Sequence, residues 1–143
     1  MKELSPKEAH DALTKNKAIV LLDVRSTGEF AQGHPAGALN IPLMDQGPGG
    51  MTPNPDFMAV VTAAIPKDRT VLVTCLSGGR SARAGGSMEQ AGWKDVTNVR
   101  CGWGGAKNMV GQITEPGWKA CGLPTEEGEP AGRSYQDLKK KKT

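Results

Sequence analysis

Ala18-Ile19-Val20-Leu21-Leu22-Asp23-Val24 is an almost unbroken apolar run, and Thr70-Val71-Leu72-Val73-Thr74 is a second, β-branched one. Neither run alternates polar with apolar, so each predicts a strand covered on both faces, as in a parallel sheet held between helices. Ala38 to Ile41 and Val96 to Val99 predict two shorter strands, and another is expected just ahead of Ser5. Between these runs the pattern changes to helical signals. Ser5-Pro6-Lys7-Glu8 reads as a capping box with proline at the first helical position, which predicts a helix from about Pro6 to Thr14. Ser26-Thr27-Gly28-Glu29 is a second capping box, opening a short helix that Gly33 and Pro35 end. Asn54 as cap and Pro55 at the first position predict a third helix, with Phe57, Val60, Val61, Ala64 and Ile65 on one face and Pro66 as its stop. A fourth is expected from about Arg80 to Gln90, whereas Met44 to Pro53, rich in glycine and proline, reads as a loop.

Strands that alternate with helices predict a three-layer α/β/α fold with a mainly parallel central sheet of about five strands, whose ligand sites lie beyond the carboxyl ends of the strands. The 143 residues suit one folding unit. Its expected extent is residues 1–125, followed by a polar, lysine-ending tail over 126–143 that is expected to be flexible.

Charge removes several function classes. The formal net charge is +3, but Lys139 to Lys142 alone supply more than that, so the body of the chain is nearly neutral. A nucleic-acid partner would want a basic face, and a terminal lysine run is the pattern of a solvated tail. Met1 to Pro6 holds no apolar leader core and no stretch reaches the length of a membrane span, so a cytoplasmic protein with no membrane partner is expected. Cys75, Cys101 and Cys121 cannot all pair with one another and show no metal-ligand spacing, so neither a metal nor another cofactor is expected.

Cys75-Leu76-Ser77-Gly78-Gly79-Arg80 stands where a buried strand meets the start of a helix. Backbone N–H groups in such a turn can point inward at one anion, Gly78 and Gly79 permit the curl, and the helix N-terminus and Arg80 add positive potential. A thiolate at Cys75 would be stabilised there and made a ready nucleophile. Taken alone, a lone cysteine before a glycine turn is more often buried and inert. The two glycines and the arginine favour the reactive reading.

The Cys-x-x-Gly-x-Arg loop resembles the active-site loop of the rhodanese family. Asp23-Val24-Arg25, Glu29-Phe30, Gly33-His34, Gly37-Ala38 and Asn40-Ile41-Pro42 resemble that family's other signature in the same order, and Gly122-Leu123-Pro124 resembles the end of its domain. The resemblance spans roughly Leu4 to Pro124. It implies a sulfurtransferase in which Cys75 accepts sulfane sulfur from thiosulfate or a related anion as a persulfide. The amides of Leu76, Ser77, Gly78, Gly79 and Arg80 would cradle it, and cyanide, a thiol or a protein sulfur acceptor would remove it. Asp23 and Arg25 are implied as supports of the loop, Asp23 holding Arg80 or loop amides and Arg25 adding positive potential, with a purely structural ion pair as the equal alternative. His34 fits a structural role in its turn. Trp103 to Pro116 is longer than the family's connection and could wall the site, while Trp103 and Trp118 suit packing on the sheet or the pocket rim. Two alternatives stay open. Related folds use a cysteine and an arginine to hold oxyanions in phosphatases and arsenate reductases, though their loop is one residue longer. Others keep the fold as a binding or regulatory module without the chemistry.

Overall fold

A computed structural model describes residues 1–142; Thr143, the last residue of the expected tail, lies outside them. In chain order the elements are β1 (Lys2–Leu4), α1 (Pro6–Lys15), β2 (Val20–Asp23), α2 (Thr27–Gln32), β3 (His34–Pro35), β4 (Leu39–Asn40), β5 (Met44–Gly47) and β6 (Gly50–Pro53). They continue with α3 (Phe57–Ala64), β7 (Val71–Thr74), α4 (Gly79–Gln90), β8 (Val96–Val99), β9 (Ala106–Lys107), β10 (Ile113–Glu115), β11 (Thr125–Glu126), α5 (Tyr135–Leu138) and a 3₁₀ turn over Lys139–Lys142. The expected α/β sheet is present: five strands in the order β1-β8-β7-β2-β4, every neighbouring pair parallel.

The unbroken apolar runs have the explanation a parallel sheet requires. Leu22, Val24, Val71 and Val73 point to one face, where they meet Phe57, Val60 and Val61 of α3 and Ala84 and Met88 of α4. Leu21 and Leu72 point to the other, with Ala9 of α1, Phe30 of α2 and Trp118. Period two thus persists in direction while both faces are buried. Both capping boxes form, with Ser5 and Ser26 each accepting the N–H of the residue three on and receiving its carboxylate in return.

Three expectations change. Met44 to Pro53 is an antiparallel hairpin, Met44 opposite Pro53 and Gly47 opposite Gly50, because its glycines and prolines shape one tight turn. Helix α3 begins two residues later than expected: the Asn54 side chain accepts the Asp56 N–H in a preceding turn, and Asp56 takes the cap position without a side-chain cap bond. The 126–143 segment, expected to be a flexible tail, packs back onto the domain at several described points. Strand β11 pairs with β3, Arg133 O accepts the Asn40 N–H of β4 at 2.9 Å, and Leu138 is 1% exposed within the α3 side of the core. Leu138 and the partly buried Tyr135, set among polar neighbours, supply the apolar anchor.

Because all five strands run the same way, the carboxyl ends of β2, β7 and β8 come out on one edge. That edge carries Asp23 to Arg25, Cys75 and Arg100 to Trp103.

Candidate active site

Strand β7 is fully buried and delivers the chain to Cys75, itself 1% exposed. The turn that follows depends on one glycine. Gly78 has φ +105°, and a Cβ there would run into the Arg100 carbonyl, so close approach and backbone conformation both demand glycine. A Cβ at Gly79 would meet nothing within 4 Å, so the expectation that both glycines permit the curl narrows to Gly78.

The Gly78 N–H donates to Cys75 Sγ at 3.1 Å, and Ser81 Oγ lies 3.3 Å from the same sulfur. Ser81 Oγ is also 2.5 Å from Asn98 Oδ1 of β8, and Asn98 Nδ2 donates to Gly78 O and to Glu3 Oε2. A buried polar network therefore backs the sulfur from the α4 and β8 sides. The expected cradle over Leu76, Ser77, Gly78, Gly79 and Arg80 is represented at Sγ by Gly78. Leu76 instead turns outward, 41% exposed.

Arg80 does not stand free. Its Nη1 and Nη2 donate to Glu29 Oε1 and Oε2 at 2.7 and 3.0 Å, a bidentate clamp from α4 to α2. Burial would push the Glu29 carboxyl up, but Arg80 and the capping contacts with Ser26 outweigh it and hold the group at about 2. Of the two readings of Asp23 and Arg25, the ion pair within the Asp-Val-Arg segment is the one formed, and Asp23 makes no hydrogen bond to Arg80. Arg25 Nε and Nη2 donate to Asp23 at 2.8 to 3.1 Å, and Nη2 also donates to Gly33 O. Both side chains are buried, so Arg25 closes the floor of the site, and its charge is met by Asp23. His34 is structural as expected, stacked on Phe30 at 3.6 Å with Nδ1 2.7 Å from Phe30 O and Nε2 3.3 Å from Glu126.

Of residues 103–116, expected to wall the site, Trp103 is the one that lines it. Trp103 and Gly104 donate their N–H groups to Cys75 O and Leu76 O at 2.8 and 2.7 Å, fixing the Trp103 ring beside the loop. That ring lies over Arg25, 5.1 Å from its guanidinium carbon, and would sit 3.0 Å from any Cβ at Gly33. Beyond Trp103, β9 and β10 form a hairpin whose tip residues Met109 and Val110 are exposed. Trp118 is core, its indole N–H donating to Pro124 O. A cleft of about 270 Å³ lies next to the loop, lined by Arg25, Glu29, Gln32, Gly33, Leu76, Trp103 and Lys119.

Cys75 differs in kind from the other thiols. Cys101 is buried, and burial with the adjacent Glu115 pushes its thiol up to about 12, which removes it as a nucleophile near neutrality. Cys121 is half-buried near Pro116 O, away from any glycine turn. Ser81, Asn98, Glu29 and Lys119 were not singled out from the sequence as site residues. A polar asparagine inside the buried strand Val96–Val99 was the available signal for Asn98.

Residues 5–109 match the family model of the rhodanese-like domain. Over 118 residues, 82% of this chain and 87% of the relative, the chain is 38% identical to Thiosulfate sulfurtransferase 16, chloroplastic, of Arabidopsis thaliana. It is 30% identical over 100 residues, 70% of this chain and 82% of the relative, to a sulfurtransferase of Allochromatium vinosum. Among solved structures, Rv0390 from M. tuberculosis aligns with a TM-score of 0.75 at 30% identity, covering 90% of this chain and 98% of that one.

Proposed function

The chain belongs to the rhodanese-like family and is a rhodanese-type sulfurtransferase, and from that premise we propose that Cys75 carries sulfur from thiosulfate or a related donor to cyanide or a thiol. The observation that carries the reading is the Gly78 N–H aimed at Cys75 Sγ, at the end of a buried strand and the mouth of a helix. In the first step the Cys75 thiolate attacks the outer sulfur of thiosulfate. A bond forms from Sγ to that sulfur, the old sulfur–sulfur bond breaks, and its electron pair leaves on sulfite. In the second step cyanide or a thiolate attacks the outer persulfide sulfur, and the pair of the breaking bond returns to Sγ. Thiocyanate or a new persulfide departs. No oxidant, metal or other cofactor enters this balance, and the amide dipole and the positive end of α4 act on the charged sulfur in both resting and loaded forms.

The phosphatase or arsenate reductase reading loses ground on loop length. Four residues separate Cys75 from Arg80, one fewer than in the loops such enzymes use. The binding-module reading loses its motive, since the thiol, the required Gly78 and the polar backing at Ser81 are all in place.

Mass measurement after brief thiosulfate exposure tests the proposal. The protein should gain one sulfur atom and lose it on adding cyanide; Cys75→Ser should gain none, while Cys101→Ser and Cys121→Ser should gain it normally. Uptake by Cys75→Ser, or its loss in all three variants, would overturn the assignment.

A further inference from the structure

We infer that the cleft beside the loop is an acceptor subsite that selects organic thiols bearing a carboxylate, with Lys119 as the cation that reads the charge and Trp103 as the apolar wall. The inference rests on the sulfur-transfer reading above and names the class of acceptor it serves.

Its first support is the pattern of charge pairing. Two cations line the cleft, Arg25 and Lys119. Arg25 is buried and held by both oxygens of Asp23. The one acidic lining residue, Glu29, is held by both terminal nitrogens of Arg80. Lys119 alone among the described lining residues has a charge with no carboxylate against it, and it is exposed. The cleft therefore presents one net positive charge, placed on a flexible stem at its rim.

The second support is size and lining. About 270 Å³ approaches the roughly 300 Å³ at which pockets for organic ligands begin, and is far more than a small inorganic anion or cyanide fills. A wider hollow of about 430 Å³ bounded by Trp103, Gly104, Lys119 and Ala120 continues from the same two side chains. Trp103 and the outward Leu76 give the cleft an apolar wall of the kind that holds a carbon chain.

The third is position. Leu76 is the residue after Cys75, and Trp103 is bonded through its N–H to Cys75 O. Lys119 in turn donates its N–H to Trp103 O. An acceptor with its carboxylate at Lys119 and its chain along Trp103 thus approaches the loop from a wall tied to the sulfur's own backbone. Cyanide needs none of this, so the subsite affects thiol acceptors alone.

The test uses the persulfide-loaded protein, so that donor binding does not enter, and follows discharge by mercaptosuccinate, mercaptoethanol and cysteamine. Dividing each variant's rate by the wild-type rate for the same thiol cancels differences in thiol acidity. Lys119→Glu should slow mercaptosuccinate about tenfold and speed cysteamine a fewfold, with mercaptoethanol between them, and raising the salt should compress the spread. Lys94→Glu, an equal charge change before the amino end of β8 at the opposite edge of the sheet, serves as the control. The same shift of all three thiols in both variants would overturn the inference. A second readout does not depend on turnover: mercaptosuccinate added to resting protein should shift the Trp103 indole N–H resonance, and Lys119→Glu should need about tenfold more of it. Absence of that shift also overturns the subsite. A protein that takes up no sulfur from thiosulfate yet shows the Lys119-dependent shift loses the sulfur-transfer reading and keeps the cleft.

Discussion

At the scale of single residues, Glu29 does two jobs with one carboxylate. It closes the capping box of α2 through Ser26, and it holds Arg80 of α4. Deleting Arg80 would therefore strand a half-buried carboxylate as well as remove a charge near Cys75. Arg80→Ala should lower stability by about 1–2 kcal/mol, between the small worth of exposed pairs and the larger cost of breaking buried ones. Adding Glu29→Gln should restore much of this, since glutamine still completes a capping box and no longer needs a cation. Urea unfolding of the two single variants and the double variant measures the coupling. Additive losses would mean that the pair does not hold the loop. Sulfur transfer should fall in Arg80→Ala and should not recover in the double variant, because the charge stays absent. Asp23 and Arg25 illustrate the same logic: two residues apart on the end of a buried strand, they satisfy each other before they can reach the loop.

Among elements, the strand-turn-helix unit of β7, the Cys75 loop and α4 is governed by one backbone position. Gly78→Ala would require a positive φ from alanine and drive its Cβ onto the Arg100 carbonyl, so it should abolish sulfur uptake and lower the melting temperature. Gly79→Ala, in the first turn of α4 with open space around it, should fold at least as stably as wild type and keep its thiol reactive. Thiosulfate-dependent mass gain and thermal unfolding separate the two; equal damage from both would show that the loop needs general flexibility. The difference between these glycines could not be seen in Gly78-Gly79 as letters, since it depends on Arg100 arriving from β8. The strands and capping boxes were legible because each is decided locally, by a fully apolar run or a serine and glutamate at fixed spacing. The Cys75 loop was legible for the same reason. What was hidden is what other elements bring to it: Asn98 from β8, Glu29 from α2, Lys119 from a turn beyond the hairpin. The hairpin of β5 and β6 was hidden by composition, because glycine and proline signal a turn whether or not strands flank it.

At the scale of the whole molecule, one ion pair ties distant parts of the chain together and another braces the C-terminal segment. Glu29 and Arg80 join α2 to α4. Glu126 and Arg133, seven residues apart and bonded at 2.7 and 3.0 Å, brace the C-terminal segment, in which Glu126 also accepts the Gly37 N–H and Arg133 O accepts the Asn40 N–H. Arg133 holds the Glu126 carboxyl down at about 2, over the opposing effect of burial, with the Gly37 N–H and His34 adding to it; Glu29 lies at about 2 as well. Both folded values are below the ordinary 4.5, so the unfolded chain binds these protons first as the pH falls. The stability they contribute is thus fully present above about pH 5 and is lost progressively between about 4.5 and 2. The melting temperature should show no fall from these two groups between pH 7 and 5, then drop steeply, and Glu126→Gln should flatten that acid limb while lowering stability at neutral pH. The C-terminal segment gives a local readout of the same event. The main-chain Asn40 N–H, which donates to Arg133 O, should lose protection in Glu126→Gln compared with the wild type at the same neutral pH. An acid limb of unchanged steepness in Glu126→Gln, with Asn40 still protected, would mean that the β11 pairing, the Arg133 carbonyl and the apolar contacts of Leu138 dock the segment without it, and that the Glu126–Arg133 pair is a solvated contact without consequence for folding.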